Sequence, residues 1–417
     1  VQTCALPIFG YKWLKACGGG EWLYDLASLY TPETAGVDST LSPMFYSDAL
    51  YYNSYDTWEW NQEQALKGWL EYMQSEISEE ALRFYLFSKE GDKEFAAIIQ
   101  GSSSSKSFPL LKWSTPKMKD LKTFLRLAKE VDKAYSRDWW AWNYKPENIV
   151  RVRQETIDQI TQHYKSETNE ILKEKWWFQC VKAKYYSQNI ESVIAFMNET
   201  ESQMPRNYLY YRALGYLGGA YHRLGNFPMA NVQYTKLMTL NSPMRWDAIF
   251  SYHALPKEDF EYAYGMLTND DERCAMLALQ AYYTDEKEIM KTIYAIQPKS
   301  EMLDLLLTRR LNKMEMVLTN TDRENYREYI SDVKKSIDPD LIEFVNRVND
   351  EGKIRDADTW NIAAAYVNAL SGNNKKAEEQ LKKVFQHGNK MERDQATIIS
   401  VVNEIMRVGF ENKDFWS

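Results

Sequence analysis

Four histidines are the first candidates for chemistry in this chain, and His163, His222, His253 and His387 are scattered without an HExxH spacing or an adjacent carboxylate pair. Each is read as a satisfied surface or interhelical side chain rather than a base or ligand. No GxSxG elbow supports an α/β-hydrolase nucleophile and no GxGxxG turn supports a dinucleotide site. The stretch 101–107, GSSSSKS, lacks the second glycine and the Lys-Ser/Thr placement of a phosphate-binding loop and is read as a flexible loop. The 59 acidic residues place many carboxylates close in sequence, but such a pair becomes a glycosidase dyad only across a cleft. The four cysteines form no CxxC spacing and no Cys/His cluster, and Cys180 and Cys274 fall inside apolar helical patterns, where a buried free thiol is the expected role. The expectation is a protein with no catalytic residues, no metal and no cofactor.

Aromatic side chains are the stronger lead, at 14% of the chain with 29 Tyr and 14 Trp. They are densest in 138–146, DWWAWNYKP, so Trp139, Trp140, Trp142 and Tyr144 are the candidate ligand-contacting rings. Exposed, they would stack on sugar faces; buried, they would wedge between the preceding helices and the first repeat, each covering a large apolar area. The formal net charge of −8 speaks against a nucleic-acid binder, which needs a basic face to displace counterions from phosphates. No apolar run approaches the roughly 18–20 residues of a membrane helix.

The elements that would carry these residues are helical. Residues 18–56 hold little periodicity and many turn formers, with Tyr46, Tyr51, Tyr52 and Tyr55 clustered near the end. This irregular aromatic segment must lie on other structure. Periodicity begins near Trp58, where Trp58, Ala65, Leu66, Trp69, Tyr72 and Met73 share one helix face. Ser78 reads as an N-cap for a second helix, and Leu121, Phe124, Leu125, Ala128 and Val131 mark one over about 117–135. Pro146 ends regular structure, which places an N-terminal helical domain at 57–146.

From 147 to 417 the sequence repeats itself. In 211–244, Leu214, Leu217, Gly218 and Tyr221 precede a turn at Gly225-Asn226-Phe227, and Ala230, Tyr234 and Leu237 follow, with Pro243 closing. The window 174–207 repeats the layout with Trp177, Cys180 and Val181, a turn at Gln188-Asn189-Ile190, then Val193, Met197 and Pro205. A third window, 357–388, has Trp360, Ala363, Ala364 and Val367 before Ser371-Gly372-Asn373-Asn374 and Ala377, Leu381 and Val384 after it. This pattern resembles the tetratricopeptide superfamily, whose units of about 34 residues are antiparallel helix pairs with small residues at the crossing. The resemblance implies an all-α fold, a tetratricopeptide-like helical-hairpin superhelix, in which Leu214, Gly218, Tyr221, Gly225, Ala230, Trp177, Pro205 and Ala377 are repeat-packing residues.

The first residues bear on location. VQTCALPI resembles the translation of a sequencing adaptor, so 1–17 read as an artefactual start and a lipobox remnant. Leu14-Lys15-Ala16-Cys17-Gly18-Gly19-Gly20 resembles the end of a bacterial lipoprotein signal peptide, with Cys17 the lipid-attachment residue. Together with the aromatic segment and the repeats, this layout looks like envelope lipoproteins of Bacteroidota-type bacteria. The resemblance implies a lipid-anchored protein, periplasmic or surface-exposed, that touches the membrane only through its anchor. Stacked helix pairs create a surface suited to a peptide or partner helix, so the expected function is a non-catalytic scaffold that binds a protein or peptide. The alternative is a glycan- or nutrient-capturing lipoprotein resembling SusD-like proteins.

Overall fold

The computed structural model describes residues 29–31, 35–45, 57–101, 106–135, 150–240, 242–319 and 326–408. Among them every regular element is helical. By packing, the chain divides into two compact units: one is residues 56–237, and the other is 238–417 together with the described part of 2–55.

The first unit contains α1 (Thr57–Met73), α2 (Glu79–Phe87), α3 (Lys89–Ile99), α4 (Pro116–Tyr135), α5 (Gln154–Ser166), α6 (Glu170–Tyr185), α7 (Glu191–Thr200), α8 (Tyr208–Arg223) and most of α9 (Phe227–Met238). Short polar side chains start several of them. Ser78 caps α2 through the N–H of Ala81, and Asn169 caps α6 through the N–H of Leu172. The core is an aromatic chain: Trp69 meets Phe124 with ring centres 4.8 Å apart, Phe124 meets Trp176 at 4.8 Å, and His163 stacks on Trp176 at 4.6 Å. Each such burial contributes about 1.5–3 kcal/mol. These rings come from both sides of Pro146, so α1 and α4 pack on α6. The division at 237/238 falls inside the stretch 147–417, and one aromatic core spans the helices before and after Pro146.

α8 passes close to α9 at a glycine. A methyl group at Gly218 would lie 2.6 Å from the ring of Tyr234, a side chain that is itself almost fully buried. Gly225, at φ +74°, makes the turn between these two helices in a backbone region that side chains with a Cβ rarely adopt.

The second unit contains α10 (Met244–Ser251), α11 (Lys257–Gly265), α12 (Asp270–Ala281), α13 (Glu286–Ile296), α14 (Glu301–Thr319), α15 (Tyr326–Ser336), α16 (Pro339–Glu351), α17 (Ala357–Ser371), α18 (Asn374–His387) and α19 (Lys390–Val408). The extensive packings join helices that are neighbours or next but one in sequence: α12 with α13 and α14, and α17 with α15, α16, α18 and α19. α17 is buried on every side, with Trp360, Ala363, Ala364, Ala365 and Val367 fully inside. Asn349 donates to Asn361 at 3.0 Å and to Gln380 at 2.9 Å, tying α16, α17 and α18 together by uncharged amides. α14 is buried over most of its described length. Leu303, Leu306, Leu307 and Leu311 pack inside, and its polar residues Asp304, Thr308, Arg309, Asn312 and Glu315 are buried as well.

Candidate functional site

Burying the polar side of a helix is costly unless each group finds a partner. Some of the partners on α14, those of Glu301, Arg309, Asn312 and Glu315, come from residues 29–44 of the same chain. Residues 29–31 and 35–45, here called the strap, are held against α10, α14, α17 and α19 by contacts to their main chain and by a few buried side chains.

The first part of the strap is gripped at Tyr30. One carboxylate oxygen of Glu315 accepts the N–H groups of Leu29 and Tyr30, each at 3.0 Å, and the hydroxyl of Tyr366 at 2.9 Å. Asn312 donates to the Tyr30 carbonyl at 2.8 Å and to the other Glu315 oxygen at 3.3 Å. Both main-chain polar groups of Tyr30 are thus satisfied by α14. The Tyr30 ring is fully buried and its hydroxyl donates to the carbonyl of Thr359 at 3.3 Å. Burial, then the carboxylates of Asp304, Asp356 and Glu315, hold the Tyr30 phenol well above the ordinary tyrosine range, so it stays a neutral donor. Gln395 of α19 accepts the N–H and the hydroxyl of Thr31, each at 3.3 Å, and donates to the Leu29 carbonyl.

Beyond Tyr30 the chain turns at Gly36, where φ is +60°, and the Gly36 carbonyl accepts from Arg355 at 3.1 Å. Arg355 is aimed by Asp304, which lies 2.9 Å away and accepts the indole N–H of Trp360 at 2.9 Å on its other oxygen. Burial pushes the Asp304 carboxyl up to about 6, against the pull of Trp360 and Arg355. A 3₁₀ helix, Ser39–Met44, follows with Asp38 as its cap, and its Leu41 and Met44 are fully buried.

Two arginines hold this second part. Arg245 of α10, itself buried, donates to Thr40 at 3.3 Å, to Glu301 at 2.8 Å and to the Met238 carbonyl at 3.0 Å. Glu301 also accepts the N–H of Asp38 at 3.2 Å. Arg309 donates to the Met44 carbonyl at 2.8 Å and to Glu286 at 3.1 Å, while its guanidinium lies 4.3 Å from the centre of the Tyr282 ring. Lys313 completes the pairing of buried Glu286. The seat therefore holds the strap, irregular around Tyr30 and 3₁₀-helical over Ser39–Met44, largely through main-chain donors and acceptors, with one buried aromatic ring.

The residues singled out from sequence lie elsewhere. Cys17, Trp139, Trp140, Trp142 and Tyr144 fall outside the described residues. Leu214, Ala230, Trp177 and Ala377 are buried, Tyr221 is half-buried, and Gly225 and Pro205 are exposed. Trp177 donates to Thr200 at 2.8 Å. Cys180 and Cys274 are free and buried, and burial pushes their thiols up to about 12 and about 11. Among the described residues no group of three or more His, Cys, Asp or Glu side chains is placed to hold a metal ion. No helix there is long and apolar enough to cross a membrane.

The seat on α14 was missed by sequence reasoning. Its polar residues Glu301, Asp304, Thr308, Asn312 and Glu315 recur every three or four positions, which reads as a solvated helix face. The available signal was the pairing of such a stripe with an irregular segment that must lie on other structure. No protein-family model, curated protein or solved structure matches this chain.

Proposed function

We propose that this protein is a non-catalytic helical-repeat scaffold that binds a protein or peptide at the bacterial cell envelope. The observation that carries the reading is the strap: the second unit already holds a non-helical segment by its main chain, with Glu315 and Asn312 gripping the Tyr30 peptide from both sides. Helices that pack on neighbours and next neighbours, α12 to α14 and α15 to α19, support a tetratricopeptide-like superhelix, a form whose general use is recognition. The lipobox-like run ending at Cys17 supports a lipid anchor, and with it the envelope location. The glycan reading rests on Trp139, Trp140, Trp142 and Tyr144. Among the described residues the most exposed large rings are Trp58 and Tyr262, which belong to different units.

The test presents the full chain to a peptide array and a glycan array side by side. Saturable binding of a defined set of peptides is expected. Binding of glycans alone would replace this function with nutrient capture, and turnover of a defined small molecule would overturn both.

A further inference from the structure

Three features set the strap apart from an ordinary structural segment. It joins its unit across a gap in the chain, since the whole first unit, 56–237, lies between it and the helices that hold it. Its first part is fixed mostly through main-chain groups, which any sequence could offer, so specificity there falls on one buried tyrosine ring and one hydroxyl. Its second part is held by other side chains, Arg245 and Arg309.

Resting on the peptide-binding reading above, we propose that the Tyr30 position of the seat is an exchangeable recognition site for an extended peptide in which a tyrosine is followed by a threonine or serine. The chain's own strap fills it in cis and holds it closed until such a segment of a partner protein takes its place. The ligand chemistry follows from the contacts. Glu315 needs two successive main-chain N–H groups, which excludes proline at either position. Asn312 needs the carbonyl between them and Gln395. The slot ending at the Thr359 carbonyl suits a ring with a donor at its tip, so tyrosine fits and phenylalanine forfeits that hydrogen bond. A tethered segment competes at an effective concentration in the millimolar range for a short linker. Partner binding is accordingly weakened in inverse proportion to the fraction of time that the seat is open.

The probe is a fluorescein-labelled peptide of residues 26–38, added to the full chain and read by anisotropy. Tyr30→Ala in the chain is expected to tighten its binding at least about tenfold over the unsubstituted chain, by weakening the resident competitor. The Tyr30→Phe peptide is expected to bind more weakly, and Glu315→Ala added to the Tyr30→Ala chain to abolish binding. Equal or no binding of the probe to the two chains overturns the proposal. Should Tyr30→Ala not fold, amide exchange in the unsubstituted chain decides. Exchange of Leu29 and Tyr30 by local opening, far faster than that of Leu306 and Leu307, supports it, and exchange only with global unfolding overturns it. Self-association with the strap of one copy seated on another overturns it in favour of segment exchange between copies. Peptide-array binding that persists when the 26–38 probe fails would leave the scaffold function standing while removing this site.

Discussion

The carboxylate of Glu315 and the main-chain N–H of Tyr30, 285 positions apart in sequence, meet at 3.0 Å in the buried interior of one unit. Glu315→Ala removes the acceptor of two N–H groups and of the Tyr366 hydroxyl together. A loss of about 3 kcal/mol or more is expected in chemical denaturation, since each orphaned buried donor costs about 1–3 kcal/mol. Glu315→Gln keeps a carbonyl oxygen for those donors but turns an amide toward Asn312, so a smaller loss is expected. Equal stability of all three proteins would remove the clamp from the account of this fold.

Gly218 and Tyr234 make a second close pair. Gly218→Ala sets a methyl 2.6 Å from the Tyr234 ring and is expected to destabilise by about 1–3 kcal/mol, although alanine favours helix more than glycine does. Ala230→Leu, at a fully buried position on the same α9, is expected to overpack by a similar amount. Tyr234→Leu in the Gly218→Ala background should recover part of the loss, and a double-mutant cycle with no coupling between 218 and 234 would refute the contact.

Asp304 gives stability a pH dependence of known sign. Its folded-state pKa, about 6, lies above the ordinary 3.8, so the folded protein holds the proton more tightly. The cost of burying the charge is fully present above pH 6 and is relieved as the pH falls from about 6 toward 4, to a limit of about 3 kcal/mol. The stability of the unsubstituted chain should therefore rise relative to Asp304→Asn between pH 7 and pH 4.5. Over the same window Arg355 loses its ionic partner, and faster amide exchange around Gly36 is expected. A difference between the two proteins that does not vary with pH would count against this assignment.

Lys175 on α6 is buried, with its ammonium 5.0 Å from the centre of the Trp69 ring and close above Gly68, where a methyl would lie 2.8 Å from the nitrogen. Burial lowers its pKa from 10.5 to about 8. For a base the sign is opposite in form: the cost is complete below pH 8, about 3 kcal/mol, and is relieved as the pH rises toward 10.5. Lys175→Met keeps the length and drops the charge. It is expected to be more stable than its parent at pH 7, with the gap narrowing by pH 10; a gap that widens would contradict this.

Much of the helical framework was legible because its signals are local. Leu121, Phe124, Leu125, Ala128 and Val131 were read as one face and all are buried in α4. The turns at Gly225 and Gly372 were read from glycine, and both have the positive φ that glycine tolerates. Trp58 was placed on the same face of α1 as Leu66 and Trp69 and is 61% exposed where those two are buried, because periodicity gives the face of a helix and not how far along it the covering neighbours reach. The seat was not legible, since its defining contacts join residues nearly three hundred positions apart and periodicity reports only which face a side chain occupies. Asn312 and Glu315 look the same in sequence whether water or a peptide satisfies them.

The order of the chain sets a problem for its synthesis. The strap is made near the beginning, while Glu315 and Gln395 follow Tyr30 and Thr31 by 285 and 364 residues. At about 5–20 residues per second, Tyr30 leaves the ribosome roughly 15–60 s before its acceptor exists. During that time the Tyr30 ring lacks the groups that enclose it, whereas Leu41 and Met44, in the 3₁₀ helix that packs on α10, can find part of their site earlier. Docking of the Tyr30 part must therefore wait for α14 and α19. A nascent chain stalled before α14 should present Tyr30 to chaperones, and one stalled after α19 should not.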